Sequence, residues 1–464
     1  MKTSKKLDMT HGSIMKLVIL FALPICIGNM LQQLYNTVDT IVIGNYCDSA
    51  SLAAVGTSGQ PVEIILCIFL GIGTGVSILV SQCTGRSDMA TLKRTVATAC
   101  SFLYMSAIPL TFIGVFLGPY LLKFMQVPDD TIHYATAYLQ IVFLGTLGNM
   151  GYNLNAGILR GLGDSRSSLL FLVLSCIVNI VLDLVFVAGF RMGVSGVAFA
   201  TIIAMYCSWG CSILYIKRKY PELEFTTLPK YLDKKILSEI IRVGLPLGLN
   251  HSIYSVGHIL MQTLVNAQGS IFMAGCSVAG KVTGLSNVAI SSFSSAATTF
   301  AGQNLGAENY VRLRRGGKTI PFYSGLITLT SGIIMCIFCR PILGLFSPDP
   351  AVVDMAVRYV RIVLPSSWMY AVLNGIISFI NGIGEVKYPT AVNIIMLWVV
   401  RIPSAYLIAE FIDGTYIMAC FPISFSFGML AMMAFFLTKK WKEIKRLAEA
   451  QENGTLETVT AASA

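Results

Sequence analysis

Two aspartates, Asp39 and Asp183, lie inside long apolar stretches where charged side chains are rare. A carboxylate at membrane depth is costly unless it faces protein or water, so by default it marks a functional site. Asn179 precedes Asp183 by four residues, and both side chains therefore project from the same helix face. Thr201 and Tyr138 add hydroxyl groups from two further apolar stretches. This set of oxygen-bearing side chains predicts a site for a proton or a hard cation.

Depth in the membrane supports grouping these residues. Asp39, Asp183, Thr201 and Tyr138 each lie about five to seven residues inside the outer end of a predicted span, which at ~1.5 Å per residue places them roughly 7–11 Å below the outer surface. Two desolvated carboxylates near each other cannot both ionise cheaply, so the pair could hold a proton. Alternatively, Na⁺ could be bound by the oxygens of Asp39, Asn179, Asp183 and Thr201. The sequence leaves both ions open, and we expect no other cofactor and no catalytic residue.

The first apolar stretch carries a polar stripe that ends at Asp39. Gln32, Tyr35, Asn36 and Asp39 follow the i, i+3, i+4, i+7 spacing of one helix face, which predicts the wall of a water-lined cavity. Pro24 interrupts the same helix because its ring removes a backbone hydrogen bond and clashes with the preceding turn. It could act as a hinge that responds to Asp39, or it could hold a static bend.

Other polar residues inside apolar stretches are candidates for a substrate-binding cleft. Two of them lie on the seventh predicted span, one on the eighth and one on the second, and the polar stripe of the first span joins them. The predicted cleft residues are Gln32, Tyr35, Asn36, Glu63, Tyr254, His258 and Lys281. We assign no function to Arg358, Arg361 and Arg401, which also fall inside spans.

The composition requires these residues to be positioned by membrane helices. Of the 464 residues, 55% are hydrophobic and only 12% are charged, whereas a soluble protein carries about 25% charged residues. Recurrent apolar stretches predict an all-α polytopic membrane protein with twelve transmembrane helices. The predicted spans are 14–44, 52–81, 92–118, 132–159, 166–188, 194–216, 236–265, 271–302, 316–340, 352–380, 388–410 and 414–437.

The distribution of positive charge predicts the topology. Most of the 33 Lys and Arg residues lie in the connections on the N-terminal side of the membrane, and only Lys123, Arg191 and Arg340 lie in the opposite connections. Cytoplasmic connections are enriched in Lys and Arg, so both termini are predicted to be cytoplasmic, in the inner membrane. The net charge of +10 then reflects topology, and we expect no nucleic-acid partner.

The sequence also contains an internal duplication with a shift of about 221 residues. Ala22-Leu23-Pro24 matches Gly244-Leu245-Pro246, and the motif at 160–164 matches that at 381–385. We predict an N-lobe at 1–216, a cytoplasmic linker at 217–235, a C-lobe at 236–440 and a polar tail at 441–464. Six spans per lobe give repeats of the same orientation around a central cleft, which is a transporter architecture. The two aspartates have no acidic counterpart in the second repeat.

These features together resemble the MATE multidrug-efflux transporters. The resemblance rests on the duplication, on Asp39, on the Asn179 and Asp183 pair with Thr201, and on the Gly-Gln-Asn-Leu-Gly-Ala stretch at 302–307. It implies a V-shaped pair of six-helix bundles that exports drug-like, often cationic compounds in exchange for H⁺ or Na⁺, coupled at the first-lobe acidic cluster. Some members carry a coupling glutamate on the seventh span, where this chain has Tyr254, so the resemblance is closer to the DinF-like branch.

Two alternative functions remain open at this stage. The first is a flippase for lipid-linked saccharides, a class of transporter that shares the duplicated bundle. Such flippases usually have a strongly basic cavity, and in this chain Lys281 is the one candidate for a basic residue in the cavity. The second is an intramembrane aspartyl protease, because residues 161–164 read Gly-x-Gly-Asp. We expect a transporter and not an enzyme, acting as a monomer on small organic molecules within membrane lipid.

Overall fold

The computed structural model describes residues 7–46, 49–124, 129–226 and 231–456, and these ranges are almost entirely helical and contain no strand. Each predicted span coincides with a helix or with two consecutive helices. The helices of the first repeat are α1 (Ile14–Tyr46), α2 (Ser49–Arg86), α3 (Met89–Phe124), α4 (Asp129–Leu144), α5 (Thr146–Gly161), α6 (Ser165–Asp183) and α7 (Gly193–Lys219).

The second repeat follows the same plan. Its helices are α8 (Lys234–Asn266), α9 (Ser270–Gly306), α10 (Tyr310–Ile337), α11 (Cys339–Gly344), α12 (Pro350–Val363), α13 (Ser367–Gly382), α14 (Lys387–Ile395), α15 (Ile402–Phe411), α16 (Cys420–Met433) and α17 (Lys439–Glu452). A 3-10 turn at Leu364–Ser366 separates α12 from α13, since Pro365 lacks the N–H that a continuous helix needs.

Apolar composition and length make these helices suitable for a bilayer. Within the described ranges, nine helical stretches are long and apolar enough to cross a membrane. The fourth predicted span is divided between α4 and α5, which at 16 residues each are too short to be among them, and α8 and α9 of the seventh and eighth spans lack a sufficiently apolar stretch. The chain is therefore a multi-pass membrane protein.

Packing divides the helices into two compact units. The first unit is built from residues 27–251, and the second from residues 8–26 together with 252 onward. Each division falls inside a helix that contains a proline: after Cys26 in α1, and after His251 in α8. The predicted lobes, by contrast, separate in the connection at 217–235.

Glycines allow two helices of the first unit to approach closely. Gly71 and Gly75 on α2 face Gly248 and Gly244 on α8, and both pairs have the spacing of a Gly-x-x-x-Gly motif. A Cβ atom added to Gly71 would lie 2.0 Å from the backbone nitrogen of Gly248, a distance that real Cβ atoms do not adopt. Backbone contact of this kind is a common way to pack membrane helices, which gain no hydrophobic driving force from lipid.

The connection between the repeats packs onto the first unit. Leu223 and Phe225 are buried in its core. The hydroxyl of Ser101 donates to the carbonyl of Tyr231 at 2.8 Å, and the backbone N–H of Asp233 donates to Thr98.

Polar contacts in the second unit hold the segment that precedes α1. Met9 is fully buried, and its backbone N–H donates to Gln303 at 3.0 Å while Asn304 donates to its carbonyl. The guanidinium of Arg312 donates to the carbonyls of Met9, His11 and Gly12. The Gln-Asn pair of the stretch at 302–307 therefore binds the N-terminal segment.

The C-terminal part of the second unit is amphipathic. The predicted polar tail at 441–464 begins inside α17, whose Trp441 and Ile444 are buried in the core of the unit. Arg314 on α10 pairs with Glu452 at the end of α17, at 3.0 Å.

Candidate functional site: an acidic cluster in the first unit

Asp39 on α1 and Asp183 at the end of α6 meet inside the first unit. Their carboxyl groups are close enough to interact with each other. Asp183 has no exposed surface, so its charge is removed from solvent. Two ionised carboxylates offer only acceptors, and a hydrogen bond can therefore form between them only if they share a proton.

Asn179 and Thr201 complete the cluster from α6 and α7. Asn179 is 2% exposed, and its Nδ2 donates to the Thr201 hydroxyl at 3.4 Å. This hydrogen bond uses the nitrogen of the amide, and the Oδ1 atom of Asn179 is buried without a hydrogen-bond partner. The predicted set Asp39, Asn179, Asp183 and Thr201 thus belongs to one unit and consists of neighbouring side chains.

The most informative feature of the cluster is its surplus of acceptors. Among the described residues, Oδ1 of Asp39, both carboxylate oxygens of Asp183 and Oδ1 of Asn179 are buried without a hydrogen-bond partner. Buried polar atoms in proteins are nearly always paired, and each exception calls for an explanation. Four unpaired oxygens without a donor have the composition of a site for a proton or a hard cation.

Two tyrosines lie beside the acids. Tyr35 and Tyr138 are both close enough to Asp39 and Asp183 to interact electrostatically with them. The hydroxyl of Tyr35 is hydrogen-bonded to the side chain of Gln32, one turn earlier on α1. Tyr138 therefore belongs to the acidic cluster. The polar stripe of the first span begins in this cluster, at Asp39, and continues along α1 to Tyr35 and Gln32.

The backbone changes its winding next to Asp183. Residues Leu184–Gly189 form a π-helical turn directly after α6, and Asp183 is the residue at its start. Single π-turns inside α-helices are rare and occur frequently at functional sites, since the extra residue re-aims the side chains around it. The π-helical turn therefore lies between α6, which carries Asn179 and Asp183, and the connection to α7.

The remaining predicted cleft residues are distributed over both units. Tyr254, His258 and Lys281 lie in the second unit, Lys281 with an exposed side chain on α9. Asn36 and Glu63 lie on α1 and α2, but their side chains fall outside the part of the chain that the structure describes. Whether these residues line one cleft stays a prediction. Pro24 lies inside an unbroken α1, two residues before the division between the units.

Asp164 of the Gly-x-Gly-Asp motif has a structural environment. It caps the N-terminus of α6 and is 2% exposed. Its Oδ2 accepts from Lys219 at 2.7 Å, from Tyr220 at 2.9 Å and from Tyr215 at 3.1 Å, while Ser167 donates to its Oδ1 at 2.8 Å. Burial raises the pKa of Asp164, but the hydrogen bonds and charge of Lys219 outweigh it and hold the pKa below its usual value.

Arg401, to which we assigned no function from the sequence, is the largest fully buried side chain among the described residues. It lies in a second π-helical turn, Met396–Arg401. Its position inside an apolar stretch was a usable signal, because a charge at that depth is costly.

No group of three or more His, Cys, Asp or Glu residues in the described ranges is arranged to hold a metal ion.

Comparison with known proteins connects this architecture to a family. The MatE family model matches residues 24–185 and again residues 246–407, which confirms the predicted duplication. The chain is 27% identical to the probable multidrug resistance protein YpnP of Bacillus subtilis, over 96% of the chain and 100% of that protein. It is 24% identical to the probable multidrug resistance protein NorM of Thermotoga maritima, over 93% and 94% of the two chains.

A solved structure agrees with the fold. A crystal structure of MATE in complex with MaD3S superposes with a TM-score of 0.86, at 24% identity, covering 97% of this chain and 100% of that one. This confirms the predicted fold of twelve helices in two repeats. The chain belongs to the MatE family, the MATE multidrug efflux transporters.

Proposed function

We propose that the chain is a secondary active antiporter that exports drug-like cationic organic compounds in exchange for H⁺ or Na⁺ by alternating access. The observation that carries this proposal is the group of four buried, unpaired oxygens on Asp39, Asp183 and Asn179. The family and the names of its relatives support export of drugs, and the acidic cluster supplies a site at which an inward-moving cation could drive it.

The cluster supports coupling through its charge state. When the site is empty, two desolvated carboxylates repel each other, and this state is expensive in a low-dielectric environment. A bound proton or Na⁺ removes the repulsion, so the ion binds most favourably to the conformation that buries the cluster. A ligand that binds one conformation more tightly shifts the population toward it. Loading the site from outside would thereby favour release of the bound compound.

Other elements have roles in the same proposal. Pro24 would be the hinge of α1, since it lies between the segment held by the second unit and the segment that carries Asp39. Substrate would contact the cleft residues Gln32, Tyr35, Asn36, Glu63, Tyr254, His258 and Lys281. The excess of Lys and Arg in one set of connections supports an inner-membrane protein with both termini in the cytoplasm. We propose a monomer with no nucleic-acid partner and no cofactor other than the coupling ion.

Transport by the purified protein tests this function. The full chain is reconstituted into liposomes that contain a fluorescent organic cation, and either a proton gradient or a Na⁺ gradient is imposed alone. We expect one of the two gradients to accelerate export of the dye at zero membrane potential. Protein-free liposomes give the background rate. Export that responds to neither gradient contradicts the antiporter.

A further inference from the structure

The last membrane-spanning stretch shows where lipid tails contact the second unit. Gly414–Leu437 has 24 residues, and at ~1.5 Å per residue it is long enough to cross a hydrocarbon core of about 30 Å. Large apolar side chains are exposed along it at helical spacing: Ile423, Phe427, Leu430, Met433 and Leu437. An exposed apolar stripe on a membrane helix faces lipid tails, so Leu437, which is 74% exposed, marks the edge of the lipid-tail region.

The chain changes direction directly after this stripe. Thr438 has an extended backbone, and its hydroxyl accepts from the backbone N–H of Trp441 as the N-cap of α17. Trp441 is buried in the core of the second unit, whereas the preceding Lys439 and Lys440 are exposed. Because these two lysines follow Leu437 so closely, their ammonium groups belong to the layer of lipid headgroups.

The duplication gives Lys440 a counterpart in the first repeat. The shift of 221 residues that relates the two repeats aligns residues 215–220 with residues 436–441. The first stretch reads Tyr-Ile-Lys-Arg-Lys-Tyr and the second Phe-Leu-Thr-Lys-Lys-Trp, so aromatic, aliphatic and basic positions coincide. Lys219 therefore corresponds to Lys440.

Lys219 has an internal partner that Lys440 lacks in the described part of the chain. Lys219 lies at the end of the unbroken α7 and forms an ion pair with the buried Asp164 at 2.7 Å. Glu385 corresponds to Asp164 by the same shift, yet among the described residues it forms no ion pair with Lys440 or any other cation. The break at Thr438 places Lys440 on a new helix, and its charge is left without a carboxylate.

The neighbouring charges of α17 do not neutralise the two lysines. Lys442 and Glu443 are adjacent and carry opposite charges, and Lys445 pairs with Glu449 at 3.7 Å. Neither Lys439 nor Lys440 forms an ion pair within the ranges that the structure describes. Each ammonium group offers only donors, so the pair requires an anion with several acceptor oxygens, as a phosphate has.

We propose that Lys439 and Lys440 bind the phosphate of an anionic phospholipid whose tails pack on the exposed apolar stripe of the last span. The partner is a membrane lipid and not a soluble anion, because the lysines directly continue a lipid-facing surface. A basic side chain near the membrane surface strengthens binding of anionic lipid by about fivefold. The inference requires only a multi-pass membrane protein and is independent of the coupling ion and of the exported compound.

Native mass spectrometry of the purified full chain tests the site by counting bound lipids. The protein in non-ionic detergent is titrated with phosphatidylglycerol, which is anionic, or with phosphatidylcholine, which is zwitterionic. We expect the first phosphatidylglycerol to bind more tightly than phosphatidylcholine. The double variant Lys439→Gln, Lys440→Gln should weaken phosphatidylglycerol by about 30-fold and leave phosphatidylcholine within about twofold.

The matched control is the double variant Lys445→Gln, Arg446→Gln. It removes the same charge from exposed positions of the same helix, about 9 Å further from the end of the span. We expect it to change the affinity for phosphatidylglycerol by less than about twofold. An equal loss in both double variants would indicate diffuse attraction to the whole basic helix and would overturn the site.

A charge-preserving variant separates recognition from folding. Lys439→Arg combined with Lys440→Arg keeps both cations, so we expect it to bind phosphatidylglycerol as the wild type does. The proposal is overturned if this variant loses the lipid as the glutamine pair does, or if the glutamine pair binds it undiminished. Displacement of the lipid by an equal concentration of inorganic phosphate would also overturn it, since the site would then recognise a soluble anion.

Discussion

At the scale of single residues, the chain contains two kinds of buried acid whose surroundings distinguish their roles. Asp164 accepts hydrogen bonds from Lys219 and several hydroxyl groups, so its charge is fully compensated. Asp183 has no donor at either oxygen and meets a second acid instead. A compensated carboxylate stabilises the fold, whereas an uncompensated one is stable only with a bound cation or proton.

This contrast predicts the behaviour of Asp164→Asn. The substitution leaves Lys219 without its buried partner and should lower the free energy of unfolding by about 3 kcal/mol near neutral pH. Because folding lowers the pKa of Asp164, its contribution is present above the unfolded pKa of about 3.9 and is lost as pH falls through the folded pKa. Thermal unfolding in detergent at several pH values measures the difference.

The control is Asp354→Asn, which removes an exposed ion pair with Arg340 and should cost less than about 1 kcal/mol. If Asp164→Asn lowers the free energy of unfolding equally at acidic and neutral pH, the negative charge of Asp164 does not stabilise the fold.

At this scale, the common helix face of Asn179 and Asp183 could be predicted, because polar residues are conspicuous in apolar stretches and the helical spacing of two residues on one helix is fixed. The surroundings of Arg401 could not be predicted. Its partners Tyr254 and Ser424 come from two other helices, and only the packed structure brings them together.

At the scale of elements, the spans could be predicted from hydropathy, but their contacts could not. The helices end within several residues of the predicted spans, because caps and glycines interrupt the apolar stretches. The facing glycines of α2 and α8 were visible as Gly-x-x-x-Gly motifs, yet the sequence does not say which helices meet. The π-helical turn at Leu184–Gly189 has no sequence signature that we can identify.

The glycine contact predicts a large effect of a small change. Gly248→Ala puts a Cβ atom 2.5 Å from the carbonyl oxygen of Ile68, and the helices must separate to admit it. We expect a loss of about 1–3 kcal/mol of stability, seen as a lower melting temperature of the purified protein. Gly210→Ala is the control, since nothing lies within 4 Å of its Cβ position and alanine favours the helix. Equal melting temperatures for both variants would contradict the close contact.

At the scale of the whole molecule, duplication supplied two similar halves that have acquired different chemistry. Both halves match one family model, yet among the described residues only the first half carries buried paired acids, and the second carries a buried arginine, Arg401, in the corresponding span. The twelve-helix duplicated fold could be predicted in full from the sequence, since hydropathy and internal repetition specify it. The division of α1 and α8 between the packing units could not, because no change in composition marks it.

The central claim is that the acidic cluster of the first unit binds the coupling ion. The most direct measurement is the ion displaced when substrate is added to the purified protein: protons followed with a pH indicator in weak buffer, or Na⁺ followed as radioactive ²²Na⁺. We expect the wild type to release one of these ions when an organic cation binds, and Asp39→Asn and Asp183→Asn to release none while Asp354→Asn behaves as the wild type. Undiminished ion release from both Asp39→Asn and Asp183→Asn would contradict the account.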